Sequence, residues 1–108
     1  MIARHWTGAT RPADAQAYEK LLRDTVLPGL QRIDGYRGGY VLRREVGDEI
    51  EFVVINFFDS IEAVRAFAGP EYDVAVFEPE AKRLLSRADP RALHYQVVAD
   101  GVAFSRGL

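Results

Sequence analysis

Asn56 is the chain's one asparagine, and it stands in the run Phe52, Val53, Val54, Ile55, Asn56, Phe57, Phe58. A buried amide without a partner costs roughly 1–3 kcal/mol. Such a residue in a strand is therefore either satisfied by backbone or at an interface, or aimed as a donor at a ligand oxygen. Alternation along a strand puts Phe52, Val54, Asn56 and Phe58 on one face. Trp6, the only tryptophan, alternates with Arg4 and Ile2. It is either plain core or a stacking wall for a planar ligand, with Arg4 as the partner of an anionic group. His94 shares a strand face with Ala92, Gln96 and Val98. Its imidazole titrates near neutral pH and suits a general base, or else it is structural. Tyr40 and Tyr72 each offer a hydroxyl to a ligand or an amphipathic ring to the edge of a core. Phe67 and Phe77, with Leu22, would line any slot between helices and sheet. No metal site emerges: His5 alternates opposite Trp6, His94 is far away in sequence, and no carboxylate is spaced to join them.

These residues need elements to hold them. Ile2–Thr7 reads as a first strand, followed by a Gly8–Pro12 turn. Apolar positions at Ala15, Tyr18, Leu21, Leu22, Val26 and Leu30 have helical spacing, with Asp14 as a cap and Pro28-Gly29 ending or kinking the helix. Tyr36–Glu45 and Glu49–Phe58 form the clearest hairpin, turning at Val46-Gly47-Asp48. Asp59-Ser60 caps a second helix lined by Ile61, Val64, Phe67 and Ala68 and stopped by Gly69-Pro70. Tyr72–Phe77 and Pro79–Leu85 read as short helical stretches, and Ala92–Ala99 as the last strand. Gly38-Gly39 lies inside a strand, where a bulge or a close approach explains it and a phosphate cradle does not.

The resulting order, β-α-β-β-α-β, is the ferredoxin-like α+β plan, an antiparallel sheet with helices on one face. One domain over residues 1–99 is expected, with Asp100–Leu108 as a tail or short arm. The other sheet face would carry Val41, Val53, Ile55, Phe57 and Val97. Leaving them in water together would cost many kcal/mol at ~25 cal/mol per Å². A second copy is the simplest cover, so a two-fold homodimer is expected.

With 48% hydrophobic and 28% charged residues among 108, the chain has a globular composition. A net charge of -2, with scattered basic residues, gives no case for nucleic acid. The apolar run around Phe52–Phe58 is far short of the ~20 residues of a membrane span. With no cysteine, disulfides, thiol nucleophiles and thiolate metal sites are excluded. Met1–Thr7 is too short and polar for a secretory signal, so the cytoplasm is the default expectation.

The opening MIARHW, the segment FVVINFFDSIEAVRAFAG and the closing LHYQVVA resemble the antibiotic biosynthesis monooxygenase family of dimeric α/β-barrel proteins. Pro70-Glu71-Tyr72-Asp73 and Phe77-Glu78-Pro79-Glu80 are similar to members of that group, and the resemblance runs from Met1 to Ala99. It implies the ferredoxin-like fold and a dimer, and a range of activities: cofactor-free oxygenation of aromatic polyketides or quinols, haem degradation, or binding of a small hydrophobic metabolite. Cofactor-free members need a dry aromatic slot, a proton acceptor and a donor for the developing oxyanion. The resemblance thus implies Asn56 and Trp6 as orienting groups and His94 or Tyr72 as the proton handler, with no cofactor. Quinone-forming relatives look to carry a tryptophan just after the third strand, where this chain reads Phe57-Phe58-Asp59-Ser60.

Overall fold

The computed structural model describes residues 1–101, and the strand that comes first in the sequence lies at the centre of its sheet. One edge of β1 (Ile2–Thr10) pairs antiparallel with β3 (Glu49–Phe58), from Ile2 opposite Phe58 to Thr10 opposite Ile50. Its other edge takes two short strands, β5 (Leu93–Gln96) beside Ile2–His5 and β4 (Leu85–Ala88) beside Gly8–Thr10. On the far side of β3 lies β2 (Tyr36–Val46), giving the order β2-β3-β1-β4. This is the ferredoxin-like α+β arrangement expected from the sequence, with the fourth strand position divided between β4 and β5. The sheet is open.

Alternation is strict on β3, where every second residue from Ile50 to Phe58 is buried under the helices. Ile50, Phe52 and Val54 pack with Ala15, Tyr18, Leu22, Ala81 and Leu84 into one core cluster, while Phe58 joins Leu30, Ala63 and Val64 in a second. The first helical segment, α1 (Ala15–Leu21), runs without interruption through a π-helical turn at Leu22–Val26 into α2 (Leu27–Leu30). Pro28 does not break it: the helical backbone continues through Gly29 and Leu30 to Gln31, whose N–H donates to the Leu27 carbonyl at 3.1 Å. Ser60 caps α3 (Ile61–Ala68) as expected, its hydroxyl accepting from the Ala63 N–H at 3.2 Å.

Three local expectations are corrected. Tyr72–Phe77 is not helical: Val74 bridges Arg91, the Ala75 N–H donates to the Pro90 carbonyl, and Pro79 holds Glu78 extended before α4 (Pro79–Leu84). The segment is a strap across the helix-facing side of the sheet. Leu85 begins β4 and does not end a helix. Val41 pairs with Val54 and faces the helices, because a bulge between Tyr36 and Gly38 resets the alternation of β2. Gly38 takes a φ of 123° there, a value open chiefly to glycine. Tyr40 and Leu42 stand on the uncovered face in its place, opposite Ile55 and Val53. The arm expected from Asp100 onward lies, beyond residue 101, outside the described residues.

Candidate functional site

The register places three polar side chains in a row across the helix-facing side of the sheet. Arg4 on β1 is paired on one edge with Asn56 of β3 and on the other with His94 of β5. Their neighbours on that face are Ile2, Trp6, Val54 and Phe58, so the row sits in apolar surroundings.

Arg4 is only 5% exposed. Its Nη1 donates to the carbonyl of Tyr72 and contacts His94 Nε2 at 3.0 Å, its Nη2 donates to the Val74 carbonyl at 3.2 Å, and its guanidinium lies 5.4 Å from the centre of the Phe67 ring. Arg4 therefore ties the strap to the sheet. Burial lowers its pKa and the Asp73 carboxylate opposes that shift, but an arginine starts so high that it remains a cation. An arginine has only donors, so Nε2 of His94 is the acceptor in that contact and the imidazole is neutral with its proton on Nδ1. Burial, and then the charge of Arg4, lower the His94 pKa, partly offset by Asp73.

The sign of the resulting pH dependence follows. The folded state takes up its His94 proton only below the ordinary value of 6.5, so between the two pKa values the unfolded chain binds more protons. The stability contributed by neutral His94 is complete above about pH 6.5 and is lost as pH falls through the folded pKa. Thermal melts between pH 5 and 7 are expected to show this loss, and His94→Gln to flatten it. Asp24 held by Lys20, Glu49 held by the Ser86 hydroxyl and then by Arg87, and Asp59 held by Arg37 lie below their ordinary values of 3.8, 4.5 and 3.8 and act only in a more acidic window.

Asn56, 6% exposed, has its Oδ1 engaged by the Tyr36 hydroxyl at 2.7 Å. Burial pushes the Tyr36 pKa up to about 12, which keeps that hydroxyl a donor. With the oxygen fixed, the amide Nδ2 is the free end of the side chain. Gly39, paired with Asn56, makes room for this bond: a Cβ there would sit 2.2 Å from Asn56 Oδ1 and 2.9 Å from the Tyr36 hydroxyl.

Between the sheet, the α1–α2 segment and the strap lies a hollow of about 80 Å³, bordered by Arg4, Trp6, Asn56, Phe67 and Phe77 among the residues singled out by sequence. Trp6 is fixed by its Nε1–H, which donates to the Asp89 carbonyl at 2.8 Å, and by an edge contact with Phe77 at 5.7 Å. The remaining wall is Leu22, Val26 and Leu30 on one stripe of the helix, Val54, Ala81, the strap and Tyr18. Tyr18, a member of the apolar helical stripe by its spacing, is thus also a lining residue of the hollow. Glu78 supplies a carboxylate at the rim.

Four expected site residues do not border this hollow. His94 and Tyr72 stand behind Arg4, their rings 5.0 Å apart and edge-on, with His94 Nε2 and the Tyr72 carbonyl against its guanidinium. Phe58 is sealed in the second core cluster. Tyr40 is on the opposite face, against Phe57 at 6.4 Å. Among the described residues no three His, Cys, Asp or Glu side chains cluster as metal ligands, and no helix is long and apolar enough to cross a membrane.

By sequence the chain matches no protein-family model and no curated protein. Solved structures do match it. A provisionally assigned antibiotic biosynthesis monooxygenase from Bacillus cereus superposes with a TM-score of 0.65 at 17% identity, over 94% of this chain and 97% of that one. The haem-degrader MhuD from Mycobacterium tuberculosis, with two haems bound in its active site, gives 0.60 at 21% identity over 94% and 100%. A monooxygenase from the gene ActVA-Orf6 of Streptomyces coelicolor, in complex with Nanaomycin D, gives 0.60 at 14% identity over 94% and 91%. With TM-scores of 0.60–0.65 over nearly the whole of each chain, the chain is built on the fold of the antibiotic biosynthesis monooxygenases, the family its sequence resembles.

Proposed function

We propose that this protein is a cofactor-independent monooxygenase acting on a quinol-like aromatic with dioxygen. The observation that carries the reading is the Asn56 amide: its oxygen is held by Tyr36, and its Nδ2 is left to donate within a cavity walled by Trp6, Phe67 and Phe77. A donor pre-aimed in a dry site stabilises an oxyanion far better than water does. The nearby Arg4 cation favours loss of the phenolic proton, which leaves by way of water toward Glu78 at the rim.

The ring then supplies all four electrons. The phenolate reduces dioxygen by one electron, and the resulting radicals join as a ring hydroperoxide. Loss of water from it leaves a hydroxyquinone, so one oxygen atom is inserted and the other leaves as water. Two electrons come from the quinol-to-quinone change and two from the C–H bond that becomes C–OH.

The size of the hollow favours a single ring over a tricyclic polyketide. Its volume of about 80 Å³ lies far below the ~300–1,000 Å³ of ordinary ligand pockets and below the ~150 Å³ of a benzene-holding cavity. Access therefore requires a wall to yield. Val76 and Phe77 are that wall, since among the described residues their backbones make no hydrogen bond to another backbone group.

The haem reading suits these residues less well. Neither histidine borders the cavity, His94 Nε2 is engaged by Arg4, and burial keeps the Tyr18 phenol protonated and so a poor ligand.

A homodimer belongs to the same reading. The uncovered face carries Tyr40, Val53, Ile55 and Phe57 beside Leu42, Leu93 and Tyr95, which are 50%, 55% and 55% exposed. An apolar face of this kind is best covered by a second copy.

Oxygen uptake with hydroquinone, followed at an electrode alongside the hydroxyquinone spectrum, tests the proposal. Stoichiometric uptake by a particle of twice the chain mass in sedimentation equilibrium is the expected result. Uptake no faster than buffer overturns the oxygenase reading, a Soret shift on haem titration would favour the haem alternative, and a monomer overturns the dimer.

A further inference from the structure

Tyr18 and Asn56 face the same hollow from opposite walls, one on α1 and the other on β3. Tyr18 is 3% exposed, and its ring is fixed edge-on against Phe52 at 4.9 Å. A phenol so deeply buried ordinarily has a hydrogen-bond partner, yet this hydroxyl has none among the described residues. No described side-chain nitrogen or oxygen is sealed from space without a partner. The Tyr18 hydroxyl therefore borders open space, and the space its residue lines is the hollow. Burial raises its pKa, so it remains a donor at neutral pH. Across from it, Asn56 presents Nδ2, its other polar atom being occupied by Tyr36.

We infer that Tyr18 is a specificity-determining residue whose hydroxyl holds a second ligand oxygen, on the side of the ring away from the oxygen held by Asn56. The preferred ligand is then an arene bearing oxygens on opposite edges, and an analogue lacking one of them leaves the buried hydroxyl unpaired. This rests on the cavity being an aromatic-ligand site, as proposed above, and adds the residue that chooses among aromatics. A site built to bond a ligand oxygen discriminates strongly against the analogue without it.

Trp6 is the only tryptophan and lines the hollow, so its fluorescence reports binding independently of turnover. Anaerobic titration of the full chain with hydroquinone and with phenol is expected to show hydroquinone bound about tenfold more tightly, as one added hydrogen bond provides. Tyr18→Phe is expected to bring the two within about twofold while leaving the thermal midpoint unchanged, because no protein–protein bond is lost. Equal binding of both probes by the natural chain, or a preference that survives in Tyr18→Phe, overturns the assignment. Binding of neither probe also overturns it, whereas oxygen uptake on hydroquinone in the same preparation would leave the oxygenase reading intact. Discrimination lost in Tyr18→Phe without any oxygen uptake would retain Tyr18 as a ligand anchor and remove the oxygenase.

Discussion

Replacing Arg4 with Met is expected to lower the thermal midpoint by about 10–20 °C, the equivalent of about 2–3 kcal/mol in a domain of this size. Methionine keeps much of the aliphatic volume, so the loss isolates the guanidinium. That group holds the carbonyls of Tyr72 and Val74 and contacts His94 Nε2 at 3.0 Å. Without it, acceptors on the strap and on β5 lose their donor in a place where water reaches poorly, and an acceptor stranded in this way costs more than an average hydrogen bond contributes. Arg4→Lys keeps the charge but presents no planar fork to two carbonyls and an imidazole, and is expected to recover less than half of the loss. A melt of Arg4→Met within 2–3 °C of the natural chain, a bound set by about 0.5 kcal/mol, would mean the strap is held by other contacts. The Val74–Arg91 bridge and the Ala75 N–H bond to the Pro90 carbonyl would then be the candidates.

Asn56→Ala is expected to reduce turnover of hydroquinone by about 10²-fold, the scale of removing one aimed donor from an oxyanion site. The effect should fall on kcat more than on KM, because charge on the substrate oxygen is greatest after proton loss. Tyr36 provides the control. Tyr36→Phe leaves the amide in place but releases its oxygen, so the amide is free to rotate, and a smaller loss of about tenfold is expected. Asn56→Ala also strands the Tyr36 hydroxyl, with a stability cost of about 1 kcal/mol. Assays at 20–25 °C therefore separate catalysis from unfolding. Full activity in Asn56→Ala would remove the amide from the mechanism and leave Arg4 as the polar group acting on the ligand.

Local signals in the sequence were enough for much of the frame. The hairpin of β2 and β3 shows in its β-branched and aromatic residues, the α3 cap shows at Ser60, and alternation alone puts Arg4 with Trp6 and Phe52 with Asn56. What escaped depends on contacts between distant segments. That His94 lies beside Arg4 follows from the register of β5 on β1, which no short-range pattern encodes. The π-turn at Leu22–Val26 and the bulge before Gly38 each change the phase of an element. The bulge accounts for Val41 being assigned to the wrong face. Tyr72–Phe77 has no strong breaker inside it and so looks helical by sequence, while the bonds that straighten it come from Pro90, Arg91 and Arg4. Tyr18 is legible in principle: a hydroxyl on a buried helical stripe needs a partner, and its apolar stripe neighbours Ala15, Leu21 and Leu22 supply none.

The central position of β1 has a consequence for how the protein is made. Ile2–Thr10 is translated before the other described strands, yet its neighbours on either side are Glu49–Phe58 and the Leu85–Gln96 region, dozens of residues downstream. While synthesis continues, both borders of this segment are bare, and it carries Ile2 and Trp6 in plain view of other nascent chains. Of the described strands β5 is made last, so the second border of β1 is covered only once Leu93–Gln96 has been translated. A chain truncated before Leu93 should accumulate as aggregate or be degraded, even though most of its core residues have already been translated.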